Sequence, residues 1–507
     1  MRKLLAVFLS LSFLLPLPAF ALDQTDLVQK IEALSKELES LKTQMQDMKK
    51  AETVKEERIT MVEKKAEESS EPSWLEIGGD YRFRFDYLKG TVHDYWQLDP
   101  TIPFGPTNPA PVAGYDVKNS SLMTNRLGLN LKAKATEDIQ VKARLLMYKV
   151  WGNQTDGAVD AGFFGDKMGV FDGNIGHVPN GSALIVDTAY ATWSNVADLP
   201  MWLSVGRRPS TGGMPGTLRQ NQEKTGTAGV PSFLIDYAFD GATIGVAPDI
   251  EALPGAFAKL CYGKGFDSGF NNSSNVDDVN MLGFNVVPYD TENLHVELQW
   301  NRAFDIFNGL SDSAVMPATD NLGDISQYGL LVMGKLEDMG PGDLNLFAAG
   351  GLSHTQPNDH LVFGLAGLNY DAGDKKNTNG GVIYLGARYD FTSSGTKIGL
   401  EYNHGSKNWI AFTPASDDMW TSKLGTRGSV YEGYIIQELN WLKPISKRGK
   451  AFFRLGYQYY DFDYTGSNNW IGAPKKISEL ATSPMNAQLL PPFEKAHDVY
   501  FTFDVTF

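Results

Sequence analysis

The chain has 507 residues, 42% of them hydrophobic and 12% aromatic, with 51 glycines, a formal net charge of −15 and a mean hydropathy of −0.25. It is too polar for a bundle of membrane helices and too aromatic for a disordered chain, and its acidic balance does not suit a nucleic-acid binder. The single cysteine, Cys261, excludes an internal disulfide framework, and there is no Cys-x-x-Cys-His for covalent haem.

In chain order, Arg2 and Lys3 precede an uncharged apolar stretch, Leu4 to Leu15, and then the small-residue site Ala19-Phe20-Ala21. Residues 1–21 therefore read as a secretory signal peptide. No later stretch reaches about eighteen apolar residues, so a membrane span must be made of strands.

Residues 22–66 read as a coiled coil. Leu27, Ile31, Leu34, Leu38, Leu41, Met45 and Met48 follow steps of four and three, with Ile31, Leu38 and Met45 at a and the others at d. Glu37 and Lys42 fall at g and the following e, placed to pair between parallel chains. The competing assignment is one amphipathic helix folded on its own domain. Residues 67–73 form a polar linker that includes Pro72.

From residue 74 the period changes to two. Leu75, Ile77, Tyr81, Phe83, Phe85 and Tyr87 alternate with Glu76, Asp80, Arg82, Arg84 and Asp86. Charges at every second position need a wet interior or solvent, so these are strands with hydrocarbon on one side. Leu127–Ala135 and Ile139–Leu145 repeat the pattern about a short turn at 136–138. Further strands are predicted at 182–194, 201–208, 232–247, 255–263, 278–287, 294–304, 325–337, 344–354, 380–391, 396–405, 429–442, 451–461 and 496–507. The total is sixteen, joined by alternately short and long connections, as in an outer-membrane barrel with its short turns in the periplasm. The fold class expected is all-β: an antiparallel transmembrane β-barrel of about sixteen strands over 74–507, preceded by the helical coiled coil.

Trp74, Trp193, Trp202 and Trp441 fall at the short-turn ends, where an interfacial girdle belongs. The face of Trp193 is ambiguous, because Asp187 and Tyr190 give its strand opposite phases. The Asp240-Gly241 pair reads as a turn that interrupts strand 232–247.

If the apolar stripes face lipid, the intervening residues line the lumen. Arg82, Arg84, Arg126, Lys132, Lys134, Lys142 and Arg144 make a basic set on the first three strands; Glu297, Glu401, Glu432, Glu438, Asp498 and Asp504 make an acidic set on later ones. Two basic and acidic walls facing each other would set a transverse field that favours anions on one side; salt bridges between them would cancel it. Arg207-Arg208-Pro209-Ser210-Thr211-Gly212-Gly213 offers guanidinium and amide donors to an anion, or else a turn anchored on neighbouring carboxylates. The seven histidines lack metal-ligand spacing, and no Gly-x-Ser-x-Gly, P-loop or EF-hand pattern occurs, so neither cofactor, metal nor enzymatic activity is expected.

The leader, the heptad arm and sixteen strands closing on Val499, Phe501, Phe503, Val505 and Phe507 together resemble Gram-negative porins. Arg126-Leu-Gly-Leu-Asn-Leu-Lys-Ala-Lys-Ala, Val141-Lys-Ala-Arg-Leu-Leu-Met-Tyr-Lys-Val-Trp151 and Gly206-Arg-Arg-Pro-Ser-Thr-Gly-Gly-Met-Pro215 look like an uncharacterised porin-like family with N-terminal coiled coils. The porin resemblance implies Phe507 as part of an assembly signal, an outer-membrane lipid environment, a homotrimer, an inward-folded loop and passive diffusion of small polar or anionic solutes through a water-filled channel. Two other functions fit the same parts: a tether whose arm holds the cell wall or a periplasmic partner, and the sheath of a porin-cytochrome conduit.

Overall fold

A two-residue period of large apolar and polar side chains favours extended backbone with two unlike faces, and antiparallel pairing of neighbours satisfies the ladder. The structure, a computed structural model, describes residues 74–507 apart from 100, 104, 153–178, 180, 271–275, 309–319, 414–416 and 447. The signal peptide, the coiled-coil seam from Leu27 to Met48 and the linker lie outside the described residues.

Sixteen strands form one closed antiparallel barrel. They are β1 (Leu75–Val92), β2 (Tyr115–Lys134), β3 (Ile139–Val150), β4 (Ile185–Ser194), β5 (Met201–Ser210), β6 (Tyr237–Val246), β7 (Phe257–Phe266) and β8 (Val279–Asp290). The second half comprises β9 (Leu294–Phe307), β10 (Asn321–Leu336), β11 (Gly342–Pro357), β12 (Thr378–Phe391), β13 (Thr396–Gly405), β14 (Gly428–Glu438), β15 (Lys450–Phe462) and β16 (Phe493–Thr506). Each pairs with its sequence neighbour, and β1 closes the ring on β16 in the register Arg82↔Asp504 and Phe85↔Phe501. The barrel is porin-like in strand number, pairing and loop layout. Short turns gather at one end; the connections 93–114, 151–184, 211–236, 267–278, 308–320, 358–377, 406–427 and 463–492 gather at the other.

The exterior is apolar and exposed. Ile77, Val205, Leu298, Leu352, Ile383, Leu400, Leu455 and Val499 all face out, while Arg82, Arg84, Asp86, Asn285, Gln327, Asn403, Glu432, Gln458 and Asp498 are buried inside. This reverses the arrangement of a soluble protein and suits a lipid surround. Trp74, Trp193 and Trp441 are exposed at the short-turn end. Trp202 is not part of that girdle: it alternates with outward Leu203 and Val205 and meets Phe257 edge-on at 6.3 Å. A register shift where Arg144 pairs Thr188 and Leu145 pairs Val186 resolves the ambiguity in β4. The irregularity at Asp187 lets Asp187 and Thr188 both sit buried while Trp193 points outward.

Asp240-Gly241 is not a turn but lies inside continuous β6. A Cβ at Gly241 would stand 2.0 Å from the Tyr262 carbonyl oxygen, so glycine is required by close backbone approach. The residues expected to begin this strand, 232–236, belong instead to a segment that enters the barrel.

Candidate functional site

Two long connections fold inward. Met214, Val230, Phe233, Leu234 and Ile235 from 211–236, and Trp409, Ile410, Phe412 and Leu424 from 406–427, pack with inward side chains of β6 and β8–β12. Phe233, Leu234, Trp409 and Ile410 are fully buried. The expected water-filled lumen is therefore filled with apolar protein over this sector. The chain enters because the segment carries Trp-Ile-Ala-Phe, which water would solvate poorly.

Beside that packing lies a charge network. Asp417, on the infolded 406–427 segment, meets Arg82 at 2.5 Å, Arg454 at 3.2 Å, Arg126 at 3.5 Å and Arg84 at 3.9 Å. Arg84 Nη1 also donates to the Asp417 carbonyl at 2.7 Å. Burial alone would raise the Asp417 carboxyl, but the Arg82, Arg126, Arg454 and Arg84 guanidiniums hold it well below the usual carboxylate range. The adjacent Asp418 accepts from Gln458 Nε2 at 2.6 Å and from Arg219 Nη1 at 2.5 Å. Arg219 comes from the other infolded segment and reaches Glu432 at 3.1 Å, so one guanidinium joins both segments to the wall.

Lys423 bridges Glu401 and Glu432. Tyr384 and Tyr434 hydroxyls donate to Glu401 at 2.5 and 3.2 Å, and Tyr500 donates to Glu432 at 2.6 Å. Arg82 pairs with Asp504 at 2.5 Å; Arg84 spans Asp86 at 2.6 Å and Asp498 at 3.0 Å. The basic and acidic sets do not face one another across an open lumen here. Closure of β1 on β16 makes Arg82 and Arg84 neighbours of Asp504 and Asp498, and these four neutralise one another in contact, while Glu401 and Glu432 are matched by Lys423 and Arg219 of the infolded segments.

The remaining acidic positions are separate from this network. Glu297 accepts from Asn285 at 2.8 Å and lies 3.4 Å from His295 Nε2. Glu438, at the short-turn end, pairs with Lys397 at 2.9 Å and Lys450 at 3.2 Å. In the Arg207–Gly213 segment, Arg207 pairs with Asp240 at 3.2 Å and Arg208 donates to Ser204 at 3.0 Å and to Thr243, a wall-anchored arrangement.

The β1–β4 side is wetter. Arg144 keeps 22% of its side chain exposed while pairing with Asp80 at 2.7 Å and Asp187 at 3.5 Å. Lys132 keeps 31% and pairs with Glu76 at 3.0 Å. Lys134 is exposed and Lys142 half-buried, neither with an ion-pair partner among the described residues. Lys132 and Lys142 are direct cross-strand neighbours. This leaves an excess of hydrated cations on one side of the interior. Phe507 pairs reciprocally with Gly79, N to O at 2.9 and 2.8 Å.

Asp417, Asp418, Arg219 and Lys423 escape a strand-based reading because they sit in long connections with no period. The apolar content of those connections was the available signal.

A family model described as a protein of unknown function matches residues 116–507. OmpT of Vibrio cholerae covers 85% of this chain and 99% of its own at 11% identity and a TM-score of 0.39. An anion-selective porin from Comamonas acidovorans covers 85% and 99% at 11% identity and 0.40, and OprB of Pseudomonas putida 85% and 94% at 10% and 0.42. At such scores these likenesses carry no argument; the fold stands on the strand order above. No curated protein matches the chain.

Proposed function

The chain belongs to the DUF3373 family of proteins of unknown function, and from the chemistry of its barrel we propose that it is an outer-membrane channel passing small polar or anionic solutes. The observation that carries this reading is the division of the interior: a dry, charge-neutral sector beside a solvated one lined by Lys132, Lys134, Lys142 and Arg144. Ions cross where side chains remain hydrated, and fixed cations there lower the barrier for anions and raise it for cations. The exposed apolar exterior supports strands set in hydrocarbon, and in this proposal the short turns take the periplasmic side.

Planar-bilayer recordings in a salt gradient test this. A reversal potential on the anion side is expected, and Lys132→Glu combined with Lys142→Glu moves it toward the cation side. Absence of current, or a reversal potential indifferent to that charge reversal, overturns the reading. Removal of residues 22–72 leaves the current intact under this function. The homotrimer belongs to the same proposal and is checked by native mass spectrometry.

A further inference from the structure

On the long-loop end, outside the charge network, the connections enclose a cavity of about 840 Å³, a size that holds small-molecule ligands. Its walls come from 463–492, from 358–377 and from Gln97 and Leu98 after β1; Trp420 and Arg427 line its buried inner end. Two features of this cavity have no role in the passage described above.

The first is its rim. Phe363 is 48% exposed, Leu365 46%, Met485 76% and Leu490 48%, all on connections beyond the lipid-facing strands. Large apolar groups clustered around a cavity mouth in water mark a contact surface for an apolar partner.

The second is Arg427. Its guanidinium is buried yet donates only to neutral oxygens: the Trp409 carbonyl at 3.0 Å, Thr465 carbonyl at 3.2 Å, Asn369 Oδ1 at 3.2 Å and Asn469 carbonyl at 2.8 Å. Four acceptors meet five N–H donors. No carboxylate among the described residues comes within ion-pair range of it. Burial without a counter-charge lowers its pKa to about 9. The other charges lining the cavity are already engaged: Lys475 with Asp371, and Asp99 with the Thr101 amide and hydroxyl.

We propose that this cavity binds a small amphipathic carboxylate, its aromatic or branched aliphatic body among Leu365, Ile471 and Leu489 and its carboxylate toward Arg427. Apolar walls with one uncompensated cation at the inner end favour such a molecule over a sugar, which lacks the apolar body, and over an inorganic anion, which lacks the same. The site lies apart from the hydrated β1–β4 wall and does not depend on that wall conducting ions.

Equilibrium dialysis of 4-phenylbutyrate against the full chain in lipid nanodiscs, with empty nanodiscs subtracted, tests the proposal; 4-phenylbutanol is the neutral comparison. Saturable binding of one molecule per chain is expected, at least ten-fold weaker for the alcohol and for Leu365→Asp on the exposed rim. Arg427→Gln removes the preference for the carboxylate over the alcohol. No saturable binding, equal binding of the alcohol, or binding unchanged in Leu365→Asp overturns it. Since Leu365→Asp alters neither Lys132 nor Lys142, its bilayer current stays that of the native chain, which separates failure of this site from failure of the channel.

Discussion

Asp417 sits among Arg82, Arg84, Arg126 and Arg454 with only 4% of its side chain exposed, so its charge compensates guanidiniums that have little water to turn to. Asp417→Asn leaves those cations buried with one counter-charge fewer, at a cost of about 3–5 kcal/mol. Urea unfolding of the refolded barrel measures this. The pH dependence follows from the direction of the shift. The folded carboxyl is held below the ordinary 3.8, so its contribution is complete above that value and fades as pH falls from there toward the depressed folded pKa. The stability gap between native chain and Asp417→Asn is therefore expected to stay constant from pH 7 to about 5 and to narrow below about 4. A gap that narrows between pH 7 and 5 would contradict the assigned partners. Residues such as Arg82 and Asp498 were legible as inward-facing because their strands alternate. Asp417, the partner of Arg82, was not, because a loop carries no period from which to read a side.

At the scale of strands, the interior aromatic rings lie over glycines of the neighbouring strand. A Cβ on Gly386 would meet the Phe347 ring at 2.2 Å, one on Gly399 the Tyr434 ring at 2.2 Å, and one on Gly456 the Tyr500 ring at 2.2 Å. Register pairs Gly399 with Tyr434 and Gly456 with Tyr500. The missing side chain lets each ring lie flat, which aims the Tyr434 and Tyr500 hydroxyls at Glu401 and Glu432. Gly456→Val is expected to destabilise the barrel by about 1–3 kcal/mol through overpacking, and by less in a Tyr500→Ala background, where the ring is gone. A double-mutant cycle by urea unfolding reads the coupling; strict additivity would refute the contact. All sixteen strands were legible from alternation because each has one face in lipid. The irregularity at Asp187 and the inward position of Trp202 were not, since a single displaced residue inverts the phase of everything beyond it.

Over the whole barrel, the sequence pattern led to an open lumen, while the described residues include two infolded segments in it. Alternation reports which residues of a strand avoid lipid; it cannot distinguish water from protein on the other side. The buried Trp409-Ile410-Ala411-Phe412 run shows that protein occupies much of it. Replacing 407–424 with a short Gly-Ser linker is expected to raise single-channel conductance several-fold, because the apolar packing and the Asp417 and Lys423 contacts leave together. Unchanged conductance would mean that this sector never limits the passage.

Closure of β1 on β16 joins positions as distant as Arg82 and Asp504. Until residues 493–506 have been made, β1 and β15 each present an unsatisfied edge, and pairing between such edges on different molecules is the ready route to aggregation. A nascent chain must therefore be shielded in transit and can complete its ring only once residues 493–506 have been made.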